Sequence, residues 1–445
     1  MAKVNFRRLC VAVIIGMSMM FLFPGLSPAA DTIKLGVAGP HSGDLASYGI
    51  PTVKAAELVV KDVNAKGGIL GKKVELLVED DVCKPEVATN TATKLLSEKV
   101  DVVLGHICSG ATKAALGIYK DSKIIVMSPS ATNPALTQSG DYPNFFRTIA
   151  SDDAQAKLEV NFALNKLKVK KVAVLHDKGD YGKGLAEYAK KFLENDKRAK
   201  VVLFEGITPG AVDYSAIVQK IKRSGAQAVI FGGYHPEASK IVTQMRKKKM
   251  KTIFISDDGV KDDTFIKVAK KYAEGVYATG PMDTSNNPLA IAAIEAHKKA
   301  YGTDPGAFFL NAYAATQALL NAIQKAGSTD YDAVEKALRT DYVETPLGKI
   351  RFDKRGDAEG VGFSIYQVQK GKSSIIYQVD GSVEDVVGYY QAELPDYGWE
   401  LSGPPDNAVG AIATMLRENA NGDLLAINMQ YNSVGDFVRV TITLS

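Results

Sequence analysis

Two short segments of this chain carry groups that could hold a small anion. Ser109-Gly110-Ala111-Thr112 follows a β-type run directly and opens a helical stretch, so Ser109 reads as an N-cap with free backbone N–H groups behind it that can donate to a carboxylate. Ser128-Pro129-Ser130-Ala131-Thr132 follows the next run and again presents hydroxyls and backbone donors at a strand exit. Taken singly, each segment could be no more than a capped helix start. Other chemistry is missing. Gly36-Val37-Ala38-Gly39-Pro40 does not fit the dinucleotide G-x-G-x-x-G spacing, and no phosphate-binding G-x-x-x-x-G-K-[ST] occurs. The five histidines (His41, His106, His176, His235, His297) make no H-E-x-x-H and have no zinc-like spacing to the cysteines, so no metal and no cofactor is expected. There is no G-x-S-x-G elbow either, and nothing supports an enzyme.

The elements that must position these segments are short β-branched runs alternating with amphipathic helical stretches. The runs are Ile33 to Val37, Val74 to Val78, Val102 to Leu104, Ile124 to Met127, Val172 to Leu175, Val201 to Phe204, Ala228 to Phe231 and Ile253 to Ile255. Each is almost continuously apolar, as strands buried on both faces of a parallel sheet must be. Ala55, Ala56, Val59, Val60 and Val63 share one helical face before Gly67-Gly68 ends the helix. The reading is α/β, with two doubly wound parallel-sheet lobes divided near Ile149 to Asp153. Ligands of open parallel sheets bind beyond the carboxyl ends of the strands, so two facing lobes would enclose a cleft.

At 445 residues the chain exceeds one core, and 46% hydrophobic with 23% charged residues is an ordinary globular composition. Lys+Arg 54 against Asp+Glu 50 leaves no basic field, which argues against nucleic acid as a partner. Residues 1–30 place Lys3, Arg7 and Arg8 before an apolar run from Leu9 to Phe23 and the small stretch Ser27-Pro28-Ala29-Ala30, the order of a secretory signal peptide cut near Ala30. The apolar run is shorter than the roughly 20 residues of a membrane span, so the protein is not expected to be an integral membrane protein after cleavage. Cys10 leaves with the signal. The remaining pair, Cys83 and Cys108, is expected to form a disulfide in an oxidising compartment, with two buried thiols as the alternative.

After Lys372 the composition changes. Residues 373–445 hold ten acidic residues, two arginines, no lysine and the only tryptophan, Trp399. A helical pattern (Val383, Val386, Val387, Tyr390, Leu394) precedes alternation around Leu424 to Met429, a turn at Asn432 to Gly435 and a run Phe437 to Leu444. This reads as a separate small acidic α+β domain.

Gly105-His106-Ile107-Cys108-Ser109, Val63-Asn64-Ala65-Lys66-Gly67-Gly68, Asp80-Asp81-Val82-Cys83, His176-Asp177-Lys178 with Tyr181-Gly182, and Tyr234-His235-Pro236-Glu237 together resemble the periplasmic leucine/isoleucine/valine-binding proteins of ABC importers. The likeness runs in order from about Asp31 to Lys372. It implies the type I periplasmic binding fold, with crossings near 150, 281 and 355. Lobe 1 would comprise 31–150 with 282–355, and lobe 2 151–281 with 356–372. It implies a ligand carboxylate held by Ser109 and Thr132, an ammonium held by the Ser130 carbonyl and an acid of lobe 2, and an aromatic wall of Tyr48, Tyr181, Tyr234 and Phe308. Ile107, Cys108 and Ala131 complete the implied lining. The acid falls at Asp258, where the family pattern has Glu before Gly-Val, a departure that shortens the side chain by one methylene. The expected function is capture of an aliphatic, branched-chain L-amino acid in the periplasm and its delivery to ABC permease subunits. The alternative is a ligand-sensing module that signals to a receptor through the C-terminal domain.

Overall fold

The computed structural model describes residues 32–378, 399–401, 407–409, 412–420, 424–432 and 437–444. The expected signal segment and the expected helix at Val383 to Leu394 lie outside the described residues.

In the first lobe, strands β1 (Ile33–Gly39), β2 (Val74–Asp80), β3 (Val102–Leu104), β4 (Ile125–Ser128) and β5 (Phe145–Arg147) form a parallel sheet in the order β2-β1-β3-β4-β5. Side chains alternate between two cores, as the strand period requires. Ile33, Leu35, Val37, Leu104 and Met127 pack with Ala56, Val59, Ala315, Leu319, Ile323 and Leu338 from helices Ala46–Ala65, Phe309–Ala326 and Tyr331–Thr340. Ala38, Val103 and Val126 face the other way, onto Ala92, Leu95, Ala115 and Leu116 of helices Pro85–Ser97 and Ser109–Asp121. Near-continuous apolarity in the sequence is the signature of this two-sided cover.

The second lobe carries β6 (Lys171–His176), β7 (Lys200–Gly206), β8 (Ala228–Gly232), β9 (Ile253–Ser256) and β10 (Tyr277–Pro281). A hairpin of β11 (Val343–Thr345) and β12 (Gly348–Ile350) lies between this lobe and its last two strands in sequence, and Ile350 joins the core of the first lobe. Then β13 (Phe363–Gln369) and β14 (Lys372–Gln378) complete the second sheet, ordered β14-β13-β10-β9-β8-β6-β7, both new pairings being antiparallel. The helix Asp152–Asn161 packs Ala156 and Val160 against Val172, Val174, Leu185 and Ala189.

Two details differ from the sequence reading. Phe352 and Ala358 still belong to the first lobe's core and Val361 packs against it, so the chain leaves that lobe just before β13 and not near 355. The second sheet also runs past Lys372, because Lys370-Gly371, both at positive φ, makes a two-residue hairpin that returns β14 along β13 from Gln369↔Lys372 onward. The charge shift at 372 thus falls inside a hairpin. Beyond it, β15 (Trp399–Leu401), β16 (Asn407–Val409), β17 (Ile412–Asn419), β18 (Leu424–Asn432) and β19 (Phe437–Leu444) form an antiparallel sheet. Its side chains alternate, with Met415, Arg417, Leu425 and Ile427 buried and Leu416, Glu418 and Leu424 exposed.

Candidate functional site

The exits of β2, β3 and β4 are tied together before any ligand is considered. Cys83 and Cys108 are bonded, with Cα atoms 5.6 Å apart. Buried Asp81 accepts from the Cys83 N–H at 2.7 Å and meets His106 Nδ1 at 2.6 Å, while His106 Nε2 lies 3.2 Å from the Tyr119 hydroxyl. Gly105 lets this loop touch β1, since a Cβ there would stand 2.1 Å from the Ala38 carbonyl oxygen. The Ser128 hydroxyl donates to the His106 carbonyl and accepts from the Ala131 N–H, and the Ser130 hydroxyl donates to the Ile107 carbonyl. The two segments that carry the anion-binding groups are therefore one stitched unit.

The second lobe contributes the exits of β8 and β9 and one helix start. Gly182, in the first turn of helix Asp180–Asp196, lies so close to β8 that a Cβ would stand 2.3 Å from the Gly232 carbonyl oxygen, and this approach brings Tyr181 inward. The Tyr181 hydroxyl donates to Asp258 Oδ1 and accepts from the Gly259 N–H at 2.9 Å. Asp257 turns away from the cavity and accepts from the Gly233 N–H at 2.8 Å.

Between the lobes lies a small, tightly closed cavity lined by Tyr48, Ile107, Cys108, Ser109, Ser130, Tyr181, Tyr234, Asp258, Gly259 and Phe308. Tyr48 lies 5.9 Å from both Tyr234 and Phe308, ring centre to ring centre, and Tyr181 lies 5.1 Å from Tyr234, so the rings form one connected wall. The lobes are closed on each other. Besides Tyr48, which bonds the second lobe, Ser47 Oγ lies 3.3 Å from His235 Nε2, Lys113 Nζ 3.0 Å from Asp180 Oδ1, and the Asn133 amide donates to the Asp180 carbonyl.

Three expectations need correction. Ser109 is the first helical residue and Cys108 the N-cap; the Ser109 hydroxyl accepts from the Asn133 N–H at 3.2 Å. Ala131 lies in the apolar core behind the cavity and is not part of its lining. Thr132 also lies outside the lining, buried with its side chain against the Asp152 carboxyl.

The site is rich in buried carboxyls. Asp152 is fully buried; burial, and then the charge of Asp258, push its carboxyl well above the usual range against the lowering effect of its Thr132 contact and of Arg147. Burial raises Asp258 to about 6 against the lowering effect of its Tyr181 and Gln155 contacts, and Asp258 Oδ2 is unpartnered. Asp257 is raised by burial and by Asp258. Asp152 escaped sequence reading because no motif marks it; the only signal is the pair Asp152-Asp153 opening the helix where the chain changes lobes. Among the described residues no group of His, Cys, Asp and Glu is arranged to hold a metal ion.

The sequence pattern of the family described as "Periplasmic binding protein" matches residues 32–373. The chain belongs to the periplasmic binding proteins. A Pseudomonas aeruginosa relative, the leucine-, isoleucine-, valine-, threonine- and alanine-binding protein, is 38% identical over 348 residues, 78% of this chain and 93% of the relative. The Leu/Ile/Val-binding protein of Escherichia coli K12 is 36% identical over 337 residues, 76% of this chain and 91% of the relative. Among solved structures, the branched-chain amino acid substrate-binding protein LivJ of Streptococcus pneumoniae, in complex with isoleucine, superposes with a TM-score of 0.70 at 29% identity, covering 78% of this chain and all of the other. This periplasmic binding protein thus has the type I fold, two α/β lobes about a cleft. Among its described residues no helix is long and apolar enough to cross a membrane.

Proposed function

We propose that the protein captures an aliphatic, branched-chain L-amino acid between its lobes in the periplasm and delivers it to ABC permease subunits, without acting on it as an enzyme. The observation that carries this reading is the polarity of the closed cavity. On one side stand Ser109, Ser130 and the N-terminus of helix Ser109–Asp121, which suit a carboxylate. On the other stands Asp258, close enough for its charge to raise the buried carboxyl of Asp152 behind it, and this acidic side suits an ammonium. Apolar and aromatic walls lie between. A zwitterion with an apolar side chain complements all three. The named relatives and the isoleucine complex support the same reading. Export by a signal peptide cut near Ala30 is part of the proposal, as is a separate role for the residues after Gln378.

Calorimetry of the full chain with leucine, leucinamide and N-acetylleucine tests it. Leucine should bind while both blocked forms lose most affinity, since each buried polar partner left unpaired costs about 1–3 kcal/mol. Equal binding of leucine and leucinamide overturns the amino-acid reading.

A further inference from the structure

The second lobe holds a buried acid that does not line the cavity. Glu159, on the helix Asp152–Asn161, accepts from the Thr279 hydroxyl at 2.9 Å, and its Oε2 has no partner. Thr279, on β10, accepts from the Gln155 amide at 2.7 Å, and Gln155 lies one helical turn before Glu159 with its own Oε1 buried and unpartnered. Gln155 in turn contacts Asp258 and lowers its pKa. A polar path runs from Asp258 at the cavity through Gln155 and Thr279 to Glu159 behind it.

The groups around Glu159 are almost all acids. Asp152 comes from its own helix, and Asp257 and Asp258 from the loop after β9; β10 offers Thr279 and β13 offers Ile365, neither charged. Arg147, the cation that acts on Asp152, is already paired with Asp357 at 2.5 Å. Several carboxylates cannot all be ionised in so dry a cluster without a cation.

We propose that Glu159 is a positioning residue for Asp258 and stores a proton that leaves the protein when a ligand ammonium enters the cavity. This rests on the amino-acid reading above. In the exchange the Glu159 O–H bond breaks, its proton passes to water or buffer, and the ammonium keeps its own protons beside Asp258 and Asp152. Burial, together with its acidic neighbours and above all the ionised Asp258, raises Glu159 to about 8, so it is protonated at neutral pH. An ammonium that cancels that charge lowers it again. The empty protein then holds more protons than the complex, so affinity rises with pH and levels off above about 8, where the empty protein has lost the proton too.

Calorimetry of leucine binding to the full chain at pH 7, in phosphate and in Tris, reads this directly. The apparent heat should differ between the buffers by an amount equivalent to release of a large part of one proton. Affinity should rise about three- to tenfold from pH 6.5 to 7.5, tenfold per pH unit being the limit for one proton. Glu159→Gln, neutral and isosteric with the protonated acid, should abolish most of the release and flatten the profile. Thr279→Val, which removes a bond that lowers Glu159, should move the levelling-off to higher pH. Buffer-independent heats in the unaltered protein, undiminished release in Glu159→Gln, or an unmoved profile in Thr279→Val each overturn the proposal. Absence of binding heat with every amino acid would instead overturn the functional reading on which it rests.

Discussion

The Tyr48 hydroxyl, from the first lobe, donates to the Gly259 carbonyl of the second at 2.5 Å, next to the acid offered to the ligand. With the Ser47, Lys113 and Asn133 contacts, it gives the closed form bonds of its own. Ligand affinity therefore includes the free energy of closing, and changes at this bond act through that equilibrium.

Tyr48→Phe keeps the ring against Tyr234 and Phe308 and removes only the donor. The Gly259 carbonyl is then left unpaired in a dry site, a loss of about 1–3 kcal/mol, or roughly 5- to 150-fold in affinity. Titration calorimetry checks this, and an unchanged Kd would show that the bond does not contribute to closure.

Asp258→Asn leaves a bound ammonium without its charge partner, and breaking such a buried pair costs about 3–5 kcal/mol, so binding should weaken at least a hundredfold. Asp152→Asn should weaken it in the same direction but by less, because Asp152 lies behind Asp258 and already meets Thr132. Asp258→Glu should be tolerated or should shift preference between small and large side chains. Full affinity in Asp258→Asn would assign the ammonium elsewhere.

Stability of the ligand-free protein should fall as pH rises. Asp152, Asp257 and Glu159 all have folded-state pKa values raised by burial, so their stabilising protonated forms are fully present below the unfolded values near 4 and are lost as pH passes the folded ones, for Glu159 about 8. Melting temperature should be lower at pH 8.5 than at pH 5.5, and saturating leucine should narrow the difference. A rise of Tm over that range would contradict the assignment.

Truncation separates the edge strand from the sequence beyond it. A chain ending at Gln378 should bind leucine with unchanged affinity, whereas one ending at Lys372 removes β14 and leaves β13 as an exposed edge, so it should melt lower or aggregate. Equal behaviour of the two would mean that β14 adds nothing to the second sheet.

How far the sequence reached depends on the kind of signal. Val102 to Leu104 and Ala228 to Phe231 were legible as strands because burial on both faces demands unbroken apolarity. Phe145–Arg147 and Tyr277–Pro281 were not, since one ends in a buried arginine and the other runs through Thr279, Gly280 and Pro281. At the site, Ser109 and Ser130 stand out because hydroxyls follow strands directly. Asp152, Gln155 and Glu159 sit at helical spacing on a helix whose polar residues point into the protein, a pattern that reads from sequence as a solvated face. Only the packing of the helix against β10 reveals its true direction.

Arg147, fully buried at the end of β5, donates through its backbone to Gly356 and accepts from the Ala358 N–H, while its guanidinium holds Asp357, the carbonyls of Ala131 and Asn133, and the Thr137 hydroxyl. Two of the three strands that pass between the lobes are thereby clamped to each other and to the rim loop that follows β4. Thr148 is bonded to Asn311 and Glu359 to Arg351, so both crossings leave the first lobe already held in place, and the rim belongs to that lobe as one solid part. The molecule closes in the manner of a door whose frame and latch plate are cast in a single piece.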